Sequence, residues 1–287
     1  MSLRMLLVFK LFLLGLTPLF AFGPQFLAVP VSARALASLR SWEVSPALSA
    51  NPSRGPIMGF SYGSWLANTR SFSFRLSRNL KHGSAAFNIK YTGLDNLELR
   101  TEQPSDQALA NFSAYGTAFE GVYNRQIGGL NLGAAFKILA LGIYTKKSNG
   151  WAVDLGLEKQ LTNFRLGFSI LNLGRLSAFI SQKPALPKRL ITMAGYNYKF
   201  TEFRGEVTVL LEKSSIVNNA IFAIGNDLKF KNLSAGFVYR KAGIVQSLSA
   251  GIALIFGMYE IGYSYQFGNQ KLGSPQIMDI SLRLPWK

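Results

Sequence analysis

Cysteine is absent from this chain of 287 residues, and histidine occurs only once. These absences exclude disulfide bonds and leave too few thiolate and imidazole ligands for a zinc centre. Beyond the first two dozen residues there is no run of eighteen apolar residues, so the sequence predicts no membrane-spanning helix there. Acidic residues are also few: 14 stand against 31 Lys and Arg, which gives a formal net charge of +17.

The usual signatures of a hydrolytic enzyme are missing as well. The one histidine, His82, falls in the turn-like stretch "NLKHG", and no Gly-x-Ser-x-Gly nucleophile elbow is present. A Ser–His pair built on His82 would need a serine supplied by the fold, whereas a solvated turn histidine needs nothing further. We therefore expect a protein that is not an enzyme, with no catalytic residues, no cofactor and no metal.

The positive charge does not indicate a nucleic-acid partner. The Lys and Arg residues are scattered singly through apolar segments, without a basic helix, a zinc module or an aromatic RNA-binding motif. Membrane lipid head groups or an acidic protein are the partners that this charge predicts instead.

The first 23 residues, "MSLRMLLVFKLFLLGLTPLFAFG", have the pattern of a secretory signal peptide. Arg4 and Lys10 precede an apolar run from Leu11 to Leu16, and small residues follow it. Cleavage is expected near residue 23, and the alternative is a retained membrane anchor. The remainder is expected to be exported.

A two-residue period dominates the sequence after residue 56. In "RSFSFRLSR" (70–78), Phe72 and Phe74 share one face of a strand, and Ser73 and Arg75 share the other. The same alternation recurs in "NFRLGFSI", "WAVDLGLE", "MYEIGYSYQF" and "IMDISLRL". Segments of about ten alternating residues predict a transmembrane β-barrel of the bacterial outer membrane, with Phe72 and Phe74 towards lipid and Arg75 towards the lumen. A soluble β-sandwich alternates in the same way, but its strands are usually shorter and less aromatic.

Fifteen segments have strand character, whereas bacterial single-chain barrels have even strand numbers. From residue 114 onward, short connections such as "QIGG" alternate with longer ones such as "LGIYTKKSN" and "KAGIVQ". This alternation assigns 95–102 to a long external loop and leaves fourteen antiparallel strands in a barrel domain at 56–287. The predicted strands are 57–65, 70–78, 83–92, 114–126, 130–140, 150–159, 163–172, 189–200, 203–212, 220–230, 232–241, 246–256, 258–268 and 276–285.

Residues 24–55 lack the two-residue period and are rich in Ala, Ser and Pro. A short helix is predicted at about 31–40. The segment is interpreted as a hatch inside the barrel, and a periplasmic linker is the alternative. Glycines on inward-facing positions would give a hatch room against the wall; they include Gly116, Gly133, Gly156, Gly236 and Gly251.

Several blocks resemble one known family in order and spacing over about residues 26–200. "FLAVPVSARALAS" contains Ser32, Ala33, Arg34 and Ala35 as a core motif, and "ALSANPSRG" places Asn51 and Pro52 in a second block. "LELRTEQPSD", "FSAYGTAFEGVYNRQ", "GWAVDLGLE" and "LPKRLITMAGYNY" follow. Together they resemble the PorV/PorQ family of outer-membrane proteins, whose fold is FadL-like. After the Ala-Arg-Ala core this chain has "SLRSW" where the family has small residues and Gly-Gly.

The resemblance implies a fourteen-stranded barrel with an N-terminal plug in the bacterial outer membrane. It implies a role in type IX-like protein secretion or surface attachment, with secretion machinery or exported cargo as partners. The alternative that the same resemblance leaves open is a FadL-like passive route for hydrophobic small molecules.

The longer connections carry basic residues that are expected to share one side of the membrane. They form a candidate rim for lipid phosphates or an acidic protein, and the alternative is that they only keep the loops solvated. The candidate rim consists of Lys146, Lys147, Lys183, Lys188, Arg189, Lys213, Arg240, Lys241 and Lys271.

Overall fold

The computed structural model describes residues 23–49, 55–100, 108–179, 182–269 and 273–285. The predicted signal peptide therefore lies outside the described residues except for Gly23, as do Asn51 and Pro52 of the predicted hatch. No helix in these ranges is long and apolar enough to cross a membrane.

Fourteen strands make up most of the described chain. They are β1 (Ile57–Ser64), β2 (Arg70–Leu80), β3 (Gly83–Leu99), β4 (Ala110–Ile127), β5 (Leu130–Ile143), β6 (Lys146–Leu161), β7 (Phe164–Leu176), β8 (Arg189–Phe200), β9 (Phe203–Ser214), β10 (Ile221–Phe230), β11 (Leu233–Ala242), β12 (Val245–Phe256), β13 (Tyr259–Gly268) and β14 (Gln276–Arg283). The helices are α1 (Ala33–Ala37) and 3-10 turns at Pro24–Ala28, Pro46–Ser49 and Leu66–Asn68.

Each strand pairs antiparallel with its neighbours in sequence, and β1 closes the sheet by pairing with β14. Ile57 lies opposite Arg283 on one side and opposite Ser77 on the other. Closure leaves no sheet edge along the wall, which is the condition for a sheet to cross a bilayer. The predicted all-β fold, an antiparallel barrel of fourteen strands with a partly helical N-terminal portion, is confirmed.

The two faces of the wall follow the predicted alternation. In β2, Ser71 and Ser73 are buried towards the inside, whereas Phe72 is exposed on the outside. Arg75 points inward, where its guanidinium donates to Asn88 Oδ1 at 2.9 Å. Large apolar side chains remain exposed on the outer face of every strand from β1 to β14, so the outer surface is suited to lipid.

The connections differ between the two ends of the barrel. Six two-residue turns form one end, which we call the turn end: 81–82, 128–129, 162–163, 201–202, 231–232 and 257–258. The opposite end, the loop end, has connections at 65–69, 100–109, 144–145, 177–188, 215–220, 243–244 and 269–275. The start of β1 and the end of β14 both lie at the turn end.

Two connections at the loop end are shorter than the sequence predicted. "LGIYTKKSN" and "KAGIVQ" were expected to be long loops, but they contain only the two-residue turns 144–145 and 243–244. Tyr144 and Gly243 take up positive φ angles of 53° and 60°, which matches the primed turns that close tight hairpins. The strands consequently run on, so Lys146 and Lys147 begin β6, while Arg240 and Lys241 lie in β11.

Residues 95–99 do not form a separate wall strand, in agreement with the fourteen-strand prediction. They extend β3 past a register shift between Leu94 and Leu97, and residues 97–99 pair with residues 110–112 of β4. The pairing of β2 with β3 ends at Gly93, and that of β4 with β5 ends at Ala114. The tips of β3 and β4 therefore form a two-stranded ribbon beyond the wall at the loop end.

Candidate functional site

The N-terminal segment 23–49, here called the plug, lies inside the barrel. α1 packs against β11 to β14, whereas the 3-10 turn at Pro46–Ser49 packs against β3 to β6 on the other side of the lumen. The contacts fall on inward-facing glycines. A Cβ atom at Gly116 would lie 2.4 Å from the Phe26 ring, and one at Gly236 would lie 2.4 Å from the carbonyl oxygen of Ala37. The plug fits only because these wall positions have no side chain.

α1 carries the predicted Ser-Ala-Arg-Ala motif and is held at both ends. Ser32 caps it by accepting a hydrogen bond from the amide of Ala35 at 3.1 Å. Asp279 of β14 accepts from the amide of Ala33 at 2.8 Å. At the other end, Arg240 of β11 donates to the carbonyl oxygen of Leu36 at 3.1 Å. An anion at the first turn and a cation at the last satisfy backbone groups that have no partner within the helix.

Lys90 of β3 fixes the chain before α1. Its ammonium donates to the carbonyl oxygens of Val29 at 2.5 Å and Leu27 at 3.2 Å, and it lies 3.8 Å from the carboxylate of Glu43. Glu43 in turn accepts from the amide of Val31 at 3.2 Å, so it closes a loop within the plug. Lys90 of the wall and Glu43 of the plug therefore both bind the backbone between Leu27 and Val31.

Two buried charge clusters join neighbouring strands on the inner face of the wall. In the first, Lys137 lies 2.6 Å from Asp154 and 3.7 Å from Glu120. In the second, Arg165 lies between Glu158, at 3.3 Å, and Glu206, with which it makes a close ion pair. The second cluster is completed from the plug, because Arg40 Nη1 lies 2.6 Å from Glu206 Oε2.

The loop end of the lumen is covered by apolar side chains. Phe26 and Leu27 of the plug pack with Leu139 and Leu176 of the wall, and Leu186 of connection 177–188 joins them. That connection folds inward, and the carbonyl oxygen of Pro187 accepts from Asn172 Nδ2 at 2.9 Å.

A cavity of about 20 Å³ lies below this layer, beside Trp42, Lys90, Glu120 and Lys137. A space of that size holds about one water molecule, far less than the several hundred cubic ångströms of a typical ligand site. In the described residues the lumen is therefore packed and polar around this point rather than open.

The structure places the described members of the candidate basic rim at the loop end. Lys146, Lys147, Lys183, Lys188, Lys213 and Lys241 are exposed there. Arg189 and Arg240 differ, because their guanidinium groups serve the interior: Arg189 binds Glu212 through two hydrogen bonds of 2.6 and 2.8 Å, and Arg240 binds α1. Lys271 lies outside the described residues.

Sequence reasoning missed the plug's own charges. Arg40 lies in the "SLRSW" stretch where the resembled family has small residues, and Glu43 follows it closely. The signal that could have found them is their isolation: they are charged residues in a segment otherwise rich in Ala, Ser and Leu. His82 lies in a turn at the turn end, where its carbonyl oxygen accepts from Tyr123 Oη at 3.0 Å.

These features define a plugged β-barrel of the bacterial outer membrane. A family model described as "Type IX secretion system membrane protein PorP/SprF" matches residues 116–283, from β4 through β14. The chain belongs to this family. The match reaches beyond residue 200, where the PorV/PorQ resemblance ended, and supports that resemblance at the level of type IX secretion outer-membrane proteins.

Solved structures with the same fold have little sequence in common with this chain. The Pseudomonas putida toluene transporter TodX has a TM-score of 0.58 at 12% identity, over 83% of this chain and 90% of that one. The Acinetobacter baumannii outer membrane protein Omp33 has a TM-score of 0.51 at 9% identity, over 80% of this chain and 98% of that one. None of the curated proteins matches. At such identities the likeness establishes fold alone.

Proposed function

We propose that this barrel is a non-enzymatic component of protein secretion or surface attachment that binds protein partners. The partners are the secretion machinery or exported cargo of a type IX system. Membership of the PorP/SprF family supports the setting. The observation that carries the proposal is the occupied lumen, because a packed plug leaves the outer rim and loops as the surfaces that can bind.

The charged clusters support a plug that stays in place. Arg40 and Glu43 of the plug face Glu206 and Lys90 of the wall at 2.6 and 3.8 Å. Withdrawal of the plug would leave Lys90 and Glu206 without these partners, and a buried charge that loses its partner is strongly destabilised. The charged residues of the lumen are thus suited to holding the plug in one position against the wall.

The alternative is a passive route for a hydrophobic small molecule. The fold shared with a toluene transporter favours it. Such a route needs an apolar pocket that continues through the barrel. The cavity beside Trp42 is instead small and lined by Glu43, Lys90, Glu120, Lys137 and Asp154. This lining disfavours an apolar solute.

The test combines capture and loss of function in the source bacterium. A tagged full-length chain is purified from outer membranes solubilised in detergent, and co-purifying proteins and lipids are identified. Proteins of the secretion apparatus, or an exported protein, are expected in the purified fraction. The same exported protein is expected to disappear from the cell surface or medium when the gene is deleted.

An unrelated barrel of similar abundance, tagged in the same way, is the matched control. A secretome that is unchanged by gene deletion would contradict the proposal. Capture of a small hydrophobic molecule, together with slower uptake of that molecule in the deletion strain, would establish the alternative.

A further inference from the structure

A row of outward-facing residues at the loop end joins apolar surface to positive charge. Ile170 of β7 lies opposite Leu190 of β8, and Leu190 lies opposite Lys213 of β9. Lys188, two residues before Leu190, is exposed just before β8 begins. Ile170, Leu190 and the two lysines line a surface site of about 270 Å³, together with Ser214 and Ser215.

The positive charge of this site is not neutralised by the barrel. The nearest acidic residue in sequence, Glu212, points inward and accepts hydrogen bonds from Nε and Nη2 of Arg189. Among the described residues, neither Lys188 nor Lys213 forms an ion pair. Lys213 Nζ donates to the carbonyl oxygen of Asn218 at 2.5 Å, which holds its side chain in place and leaves its charge unpaired.

Below the lysines, the outer face of β8 forms a groove. Its residues Thr192 and Ala194 are small and exposed, whereas the outward residues of the flanking strands are larger. Thr192 lies between Phe168 and Leu211, and Ala194 lies between Leu166 and Val209. Leu190 and Tyr196 bound this groove along β8, and its floor of small residues, Thr192 to Ala194, spans about 7 Å of the strand towards the middle of the membrane.

We propose that this site binds the diphosphorylated head group of lipid A, with the part of one acyl chain nearest the head group lying over Thr192 and Ala194 of β8. A phosphate matches an unpaired lysine pair in charge, and an apolar groove with a small-residue floor matches a single hydrocarbon chain. In outer-membrane barrels the longer loops are extracellular, so the loop end meets the outer leaflet, in which lipid A is the phosphorylated lipid. The site is independent of the proposed role in secretion.

The experiment measures lipid binding to the purified full-length protein by native mass spectrometry from detergent micelles. Three lipids are compared: diphosphoryl lipid A, monophosphoryl lipid A and phosphatidylglycerol. We expect diphosphoryl lipid A to bind most tightly. In K188Q/K213Q its affinity is expected to fall about thirty-fold, since each lysine near a charged lipid surface contributes about five-fold.

Two further variants make the result specific. The control K81Q/K159Q removes two exposed lysines at the turn end and is expected to bind lipid A like the unaltered protein. T192L/A194L fills the groove with apolar side chains that the lipid tolerates, and it is expected to weaken lipid A binding while both lysines remain.

Three outcomes would overturn the proposal. The first is full lipid A binding by K188Q/K213Q. The second is an equal loss in K81Q/K159Q, which would indicate attraction to overall charge alone. The third is tighter binding of phosphatidylglycerol than of diphosphoryl lipid A, which would assign the site to a different lipid.

Discussion

Arg165 is only 1% exposed, and yet it carries a positive charge between Glu158 and Glu206. Arg40 adds a second cation to Glu206 from the plug. In a low-dielectric interior such a group is favourable only while all its partners are present. The cluster therefore couples the register of the plug to that of β6, β7 and β9.

The first prediction concerns the removal of this cation. Arg165→Ala leaves two buried carboxylates without their main partner, and it should lower the free energy of unfolding by about 3–5 kcal/mol. Urea-induced unfolding in lipid vesicles, followed by tryptophan fluorescence, provides the measurement. Glu202→Ala breaks the exposed pair with Lys231 and is the matched control, with an expected cost below about 1 kcal/mol. Equal costs for the two variants would refute the coupling.

The second prediction uses two glycines that face opposite ways. Gly236→Ala places a methyl group 2.4 Å from the backbone oxygen of Ala37, whereas the outer face at Gly121 is open. Because a backbone atom cannot step aside as a flexible side chain can, Gly236→Ala should loosen α1 and expose the plug to protease. Gly121→Ala should leave digestion unchanged. Faster cleavage of neither variant, or of both, would contradict this account of the fit.

At the scale of single elements, the strands were largely predictable and the connections were not. Alternation is a local property, so the bounds of β8 agree with the prediction to the residue. The turn at Tyr144 and Thr145 was missed because Tyr has no preference for positive φ, and the following "KKSN" resembled a loop. The pairing of Arg40 with Glu206 was likewise hidden, because it depends on the barrel bringing distant segments together.

The third prediction places the ribbon formed by the tips of β3 and β4 outside the cell. Glu98 is exposed on this ribbon, beyond the last pairing of β2 with β3. Glu98→Cys introduces the only cysteine of the chain, and it should react with an impermeant maleimide on intact cells. A cysteine at Lys159, at the turn end, should react only after lysis. The reverse pattern of labelling would invert the orientation of the barrel.

At the scale of the whole molecule, the wall supplies the surface that faces lipid, and the plug fills the interior. The outer apolar face belongs to β1 to β14, while the described plug residues contact the inner face of the wall and connections at the loop end, such as Leu186. Insertion into lipid should therefore depend on the wall alone, whereas the permeability of the barrel should depend on the plug.

The fourth prediction follows from this separation. Deletion of residues 24–55, with residues 1–23 retained, should give a barrel that still inserts into the outer membrane. Its conductance in planar bilayers should rise, because water and ions replace the plug around Lys90, Lys137 and Arg165. The unaltered chain, purified in parallel, is the control. An inserted barrel whose conductance matches that of the control would contradict the claim that the plug limits permeation.

The closure of β1 on β14 also constrains the order of folding. Ala33 meets Asp279 across 246 positions of sequence, and Ser264 Oγ donates to the carbonyl oxygen of Ala33 across 231. Contacts of such separation form late, since the loss of chain entropy precedes the gain from pairing. The first part of the exported chain is thus among the last to reach its final position. Until β14 arrives, the plug has no complete pocket, and the nascent chain must be protected from aggregation during the interval before closure.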